Sequence, residues 1–161
     1  MRCVKENSWP RLRLANNKDR EKVTNLVYSI LNEYNLKADP ECTDADLKDI
    51  ENSYFEKGGT FYVLEERDGS IIGAYGLCPV GQQTCELRKM YLHSAYRGKG
   101  LGKFLMESAL AKAKQMKFKK IVLETASVLK EAICLYKSYG FVEYQPKRLS
   151  SRCDQAYTFD L

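Results

Sequence analysis

Apolar residues along the chain keep two rhythms, one helical and one alternating. From Asp19 to about Tyr34 they return at helical spacing, as Val23, Leu26, Val27, Ile30 and Leu31, behind a polar cluster Asn16-Asn17-Lys18-Asp19 that offers helix caps. Asp39-Pro40 marks a turn, and Thr43-x-x-Asp46 resembles a capping signal for a second helix running to about Phe55. Arg11 to Leu14 alternates as a short strand ahead of both. After Gly58-Gly59 breaks the second helix, TFYVLEE reads as a strand, Arg67-Asp68-Gly69-Ser70 as a hairpin turn and IIGAYGLCPV as the returning strand. Gly81-Gln82-Gln83 turns again into TCELRKMYL, which completes an antiparallel meander.

The second half repeats the helical rhythm twice. Leu101, Leu105, Ala109, Ala113 and Met116 make the buried stripe of a helix ending near Lys117, and IVLET from Ile121 is short enough to be a buried strand. Leu129, Ala132, Ile133 and Tyr136 then mark a last helix to about Tyr139, with Gly140 at its left-handed C-cap and a final strand QAYTFDL. The order β-α-α-β-β-β-α-β-α-β-β predicts a mixed α/β fold: a central twisted sheet of about seven strands with helices on both faces. The strand–helix–strand unit from Cys85 to Thr125 should cross over right-handed with its strands parallel. Residues 11–161 make one domain, and residues 1–10, without periodicity, an N-terminal tail.

Composition narrows the class. Apolar residues at 44% and charged residues at 29% describe a soluble globular chain, not a disordered one. No apolar run approaches the roughly 18 residues of a membrane span. The N-terminal MRCVKENSWP lacks the apolar core of a signal peptide, so a cytoplasmic protein without a membrane partner is expected. The six cysteines form no C-x-x-C pair and the single histidine, His93, has no ligand neighbours, so no metal site is expected and the thiols should be reduced.

The net charge of +5 is unevenly placed. Eight basic residues lie between Arg97 and Lys120 against Glu107 alone, and six acids lie between Asp39 and Glu51 against Lys48 alone. Both runs can be solvated helix faces; as binding surfaces they suit an anionic ligand and a cationic one respectively. The basic run lacks the interleaved aromatics of a single-strand binder, so a nucleic-acid binder acting through residues 97–120 is a remote alternative and no nucleic-acid partner is expected.

Three alternating glycines, Gly98, Gly100 and Gly102, open the helix that follows the third meander strand, bringing bare backbone N–H groups to a helix N-terminus. Arg97, Lys99 and Lys103 add charge there, which points to a phosphate-bearing ligand. A P-loop fits poorly because Lys103 is followed by Phe104, with no hydroxyl for magnesium and no glycine at residue 97, and a dinucleotide fold fits poorly because the loop reads G-x-G-x-G instead of G-x-G-x-x-G.

The residues Arg97-Gly98-Lys99-Gly100-Leu101-Gly102 read R-x-x-G-x-G after a strand ending Met90-Tyr91-Leu92, and EAICLYKSYGF spans Glu131 to Phe141. With the element order, these resemble the GNAT superfamily of acetyl-coenzyme A dependent N-acetyltransferases from Leu12 onward. The resemblance implies that backbone N–H groups from Gly98 to Lys103 hold the cofactor pyrophosphate. It also implies that Met90 to Leu92 pair with the pantetheine arm as a strand would, with Leu129, Ala132 and Tyr136 on the neighbouring helix. Leu129 stands where the family often has asparagine, so a side-chain contact to pantetheine is expected to be absent.

Glu86, eleven residues before Arg97, falls at the offset of the glutamate base in the histone-acetylating branch. Glu65, Glu66 and Glu124 are rivals, and a strand-face pairing of Glu86 with Arg88 is the purely structural alternative. Tyr136 matches the family tyrosine that protonates the departing thiolate, although it also lies on the buried stripe. The resemblance implies acetyl transfer from acetyl-CoA to the primary amine of a small molecule, bound across the sheet from the cofactor against the first two helices and the hairpin loops. The acidic run hints at a cationic or polyamine acceptor. A non-catalytic acetyl-CoA-binding sensor or partner module is the alternative, and a homodimer is compatible with the family.

Overall fold

Asn16 ends the first strand segment and starts the first helix. Its side chain accepts the Lys18 N–H at 2.9 Å while Asp19 Oδ2 accepts the Asn16 N–H at 2.9 Å, closing a reciprocal cap. The computed structural model describes residues 8–161, so most of the expected tail, residues 1–7, lies outside the described residues. Strand β1 is Arg11–Leu14 and helix α1 is Arg20–Glu33, burying Val23, Leu26, Val27, Ile30 and Leu31 as the spacing predicts.

The expected second helix is not continuous. It divides into a 3-10 turn Ala45–Lys48, a single turn α2 at Ile50–Ser53 and a 3-10 turn Phe55–Lys57. The side chains expected to cap one helix are used elsewhere. Thr43 Oγ1 donates to Asp39 Oδ2 at 3.0 Å, Asp46 accepts from the Tyr54 hydroxyl, and Asp49 takes an extended backbone and caps the Asn52 N–H at 3.0 Å.

The remaining elements follow the predicted order: β2 Thr60–Glu65, β3 Ile71–Pro79, β4 Thr84–Leu92, α3 Leu101–Gln115, β5 Lys120–Thr125, α4 Lys130–Ser138, β6 Val142–Tyr144 and β7 Gln155–Asp160. They form one seven-stranded sheet ordered β1-β2-β3-β4-β5-β7-β6. All neighbours are antiparallel except β4 and β5, which the α3 crossover makes parallel. Period-two alternation sends side chains to two cores. Phe61, Val63, Ala74 and Cys78 pack under α1 and α2, while Leu64, Leu77, Cys85 and Leu87 pack under α3 and α4. Helices therefore cover both faces. No helix among the described residues is long and apolar enough to cross a membrane.

Two features of β4 create the functional cavity. Its parallel pairing with β5 stops after three residues, Thr84–Glu86 against Lys120–Val122, and the strands then splay. Beyond that point a bulge between Arg88 and Tyr91 shifts the register with β3, and Lys89 takes a left-handed φ of 54°. A bulge turns the strand and re-aims its side chains.

Candidate active site

The splay between β4 and β5 opens a cavity of about 830 Å³ that reaches from the glycine loop to the Thr43–Asp46 turn. Its cofactor half is built mainly from backbone. Gly98 and Gly100 sit at φ of 76° and 83°, the left-handed region, and nothing lies within 4 Å of where a Cβ would be at either position. Conformation, not crowding by the protein, is what selects glycine there, and the space outside the loop is open. Gly100 caps the 15-residue α3. The N–H groups of Leu101, Gly102 and Lys103 occupy the first turn, where a helix supplies no i−4 acceptor.

Along the same wall the β4 edge from Leu87 to Leu92 is free of β5, leaving main-chain groups for an extended ligand. Leu105, Leu123, Ala132 and Leu135 give the half its apolar lining. A helix end with unpaired N–H groups, an open strand edge and an apolar trough suit, in that order, a pyrophosphate, a chain of amides and a short acyl thioester. The residues present therefore fit coenzyme A.

The cavity brings together most of the predicted site residues: Met90, Tyr91 and Leu92 on β4; Arg97, Gly98, Gly100, Gly102 and Lys103 at the loop; and Leu129, Ala132 and Tyr136 on or before α4. Lys99 and Leu101 are not on its wall. Lys99 Nζ instead lies 5.5 Å from the centre of the Tyr96 ring. Arg97 reaches the cavity but is already committed. Its Nε donates to Leu92 O at 3.1 Å, Nη1 and Nη2 to the Glu33 carboxylate at 2.6 and 3.2 Å, and Nη1 also to the Tyr34 hydroxyl at 3.2 Å. It fastens the loop to α1.

Tyr136 is both part of the buried stripe and part of the cavity wall. Its ring packs on Phe141 and Tyr157, with centroids 5.8 and 6.2 Å away, while the side chain also lines the cavity. Its hydroxyl makes no hydrogen bond to another described residue. Burial pushes its pKa well above the ordinary tyrosine value, with Tyr91 and Cys153 adding to the rise, so it is an O–H donor at neutral pH.

Glu86 lines the cavity and is ion-paired through Oε1 to Arg88 Nε, leaving Oε2 uncommitted. Among its rivals, Glu124 also lines the cavity, where its Oε2 accepts the Ser150 N–H at 3.2 Å and hydroxyl at 2.9 Å. Glu65 is held on the far sheet edge by Arg13 at 2.6 Å, and Glu66 accepts from the Tyr96 hydroxyl at 3.0 Å; neither faces the cavity.

The acceptor half is built from side chains that local sequence patterns did not connect. Asp44, 1% exposed, accepts from both Nη1 and Nη2 of Arg152 at 2.7 Å and lies 3.4 Å from Lys89 Nζ. Lys89 Nζ donates to Thr43 O at 3.0 Å and lies 3.2 Å from Asp46 Oδ1, off the line of a hydrogen bond. The acidic run thus turns partly inward, and two of its carboxylates neutralise two buried cations. The Ser150–Cys153 loop, which no motif had marked, forms part of the wall.

Comparison with known proteins agrees with this geometry. Residues 24–141 match the acetyltransferase (GNAT) family. Over 137 residues the chain is 38% identical to the uncharacterised N-acetyltransferase YjgM of Escherichia coli (strain K12), covering 82% of this chain and 81% of that protein. A GNAT-family acetyltransferase of Staphylococcus aureus Mu50 superposes with a TM-score of 0.87 at 25% identity, over 93% of this chain and 98% of that one. YncA of Salmonella typhimurium, solved with its cofactor acetyl-CoA, superposes at 0.72 with 21% identity over 95% and 94% of the two chains. The chain belongs to the GNAT acetyltransferase family, whose cosubstrate is acetyl-CoA.

Proposed function

We propose that this acetyltransferase moves the acetyl group of acetyl-CoA onto the primary amine of a small molecule by direct attack. The observation that carries this reading is that the glycine loop, the buried Tyr136 and Glu86, with one carboxylate oxygen free, line one continuous cavity. Acetyl-CoA supplies an activated acyl group joined to a thiol that can leave.

The protein's part is to orient and to move protons. Backbone N–H groups from Gly98 to Lys103 fix the phosphates, and the β4 edge aligns the arm. An alkylamine, with a pKa near 10.4, reaches the site mostly protonated, so a base must take its proton before attack. Glu86 Oε2, on the acceptor side of the splay, is placed to receive it directly or through a water. Tyr136 holds its proton at neutral pH and delivers it to the departing sulfur. A thiol pKa near 8.5 makes that donation helpful, not obligatory.

Thiol release from acetyl-CoA, followed across a panel of amines, tests the reading. Wild-type protein should turn over at least one amine. Glu86→Gln and Tyr136→Phe should each lower kcat by about 10²-fold, at the low end for a general acid or base, with little change in cofactor affinity. Activity in both variants equal to wild type removes the two assignments. Binding of acetyl-CoA without turnover of any amine favours a sensor or partner module.

A further inference from the structure

Three cations border the acceptor half, and two of them are ion-paired to buried or nearly buried carboxylates. The Lys89 and Arg152 side chains are 5% and 10% exposed; Arg152 donates through Nη1 and Nη2 to Asp44 and through Nη1 to the Lys37 carbonyl, and Lys89 donates to the Thr43 carbonyl with the Asp44 and Asp46 carboxylates at 3.4 and 3.2 Å. Arg88 differs. It is 33% exposed, uses Nε on Glu86, and neither of its Nη nitrogens makes a hydrogen bond to another described residue. Glu86, two positions earlier on the same face of β4, keeps Oε2 free. An open cation fork and an open carboxylate oxygen therefore lie side by side in the cavity wall.

A ligand that fills this end of the cavity expels water from both groups. If it brings only an amine, it satisfies Glu86 and strands the Arg88 fork; stranded polar groups are what make a polar site reject an incomplete ligand. If it brings an amine and a carboxylate, both are satisfied, and the fork is shaped for a carboxylate. Because the two protein heads are in direct contact, the two ligand groups must also be neighbours, one or two carbons apart.

On the basis of the acetyl-transfer reading above, we propose that the acceptor is a zwitterion of the amino-acid type, with Arg88 holding its carboxylate and Glu86 receiving the proton of its amine. Arg88 is then a specificity-determining residue. The ammonium gives one proton to Glu86, the nitrogen–carbon bond forms as the carbon–sulfur bond breaks, and the sulfur takes the Tyr136 proton. The second proton that nitrogen loses as the amide forms returns to the Tyr136 oxygen through water, and Glu86 releases its proton to solvent, so charge and atoms balance. This acceptor differs from the polycation that the acidic run suggested: Asp44 lies off the cavity wall, paired with Arg152 and Lys89, and Asp46, which is on the wall, already has the Lys89 charge and the Tyr54 hydroxyl beside it.

Matched acceptors test it: common α-amino acids, each beside its primary amide and the amine lacking the carboxyl group, with spermidine and 6-aminohexanoate included. With saturating acetyl-CoA, kcat/KM for the best amino acid should exceed that of its amide by about 10–100-fold, the worth of one charged hydrogen-bonded contact. The advantage should vanish for 6-aminohexanoate. Arg88→Gln should shrink the acid-to-amide ratio to within about threefold through KM, and Arg88→Lys should fall between, provided melting curves show each variant folded. Equal use of acid and amide, preference for spermidine, or an unchanged ratio in Arg88→Gln overturns the proposal. If no amine is turned over, the acetyl-transfer reading fails on its own. Calorimetric titration of the same pairs into the coenzyme A–saturated protein then decides: tighter binding of the acid supports the zwitterion site, and equal or absent binding overturns it.

Discussion

The two halves of the cavity are made in different ways. The cofactor half uses main chain: left-handed glycines, the first turn of α3 and an unpaired strand edge. The acceptor half uses side chains drawn from three separate stretches, tied by the Asp44–Arg152–Lys89–Asp46 network and by the Glu86–Arg88 pair. A backbone site depends on conformation and tolerates change at most side chains around it. A side-chain site depends on each charge keeping its partner. The first construction suits a ligand shared by a family, and the second suits a ligand that varies from member to member.

The largest effect should come from the conformational half. Gly100→Glu places a carboxylate beside the proposed phosphate site and forces φ near 83° on a residue with a Cβ. Left-handed strain costs about 1–2 kcal/mol and like-charge juxtaposition several more. Acetyl-CoA affinity by calorimetry should drop more than about 10²-fold while the melting temperature falls by only the few degrees, about 2–8 °C, that the strain accounts for. Gly100→Ala carries only the strain and should lose roughly tenfold or less. Normal affinity in Gly100→Glu would show that the phosphates bind elsewhere.

The side-chain half should instead fail through stability. Asp44→Asn leaves Arg152 and Lys89 buried without their shared counter-charge, and breaking a buried pair this way costs about 3–5 kcal/mol. The midpoint of urea unfolding should fall accordingly. The same group sets an acid limit. Burial works against the charged form of Asp44, but hydrogen bonds from Arg152 and the Lys89 charge outweigh it and hold the carboxyl below its ordinary value. A depressed native pKa gives stability that is present above the unfolded value, near 3.9, and is lost as pH falls through the native one. Wild-type stability should therefore decline steeply below about pH 4, and the Asp44→Asn protein more gently. Parallel decline of the two would place the acid sensitivity in another pair, such as Arg13–Asp19.

The same contrast explains what could be read from the sequence. The cofactor half was legible because its signals are local: three alternating glycines within five positions, a strand before them and a helix after. Element order and sheet type were legible because period-two and helical patterns are local too. In the acceptor half the Glu86–Arg88 pairing was legible, from two positions on one strand face, but the charge network was not, because Asp44 and Arg152 are 108 residues apart and no pattern near either announces the other. The acidic run looked like one solvated helix face; it became three short turns because Asp46 and Asp49 found partners that compete with helical backbone. Glu124 could be named as a candidate from its strand, but its hold on Ser150 depends on a loop with no motif.

Arg97 sits where the halves meet and sharpens the comparison at the smallest scale. Its position in the glycine motif suggests a charge aimed at phosphate, yet its guanidinium ties Leu92 O, Glu33 and Tyr34 together, joining the loop to the helix that borders the acceptor. Lysine separates these roles, since it keeps the charge and loses the planar fork. If Arg97 acts as a fastener, Arg97→Lys should raise KM for acetyl-CoA by roughly 3–10-fold with kcat nearly unchanged, an effect held down by the partial exposure of the Glu33 pair. The KM for the amine should rise with it, because α1 is released at the same time. If Arg97 acts only as a charge near phosphate, the lysine variant should match wild type in both constants while Arg97→Gln weakens the cofactor alone.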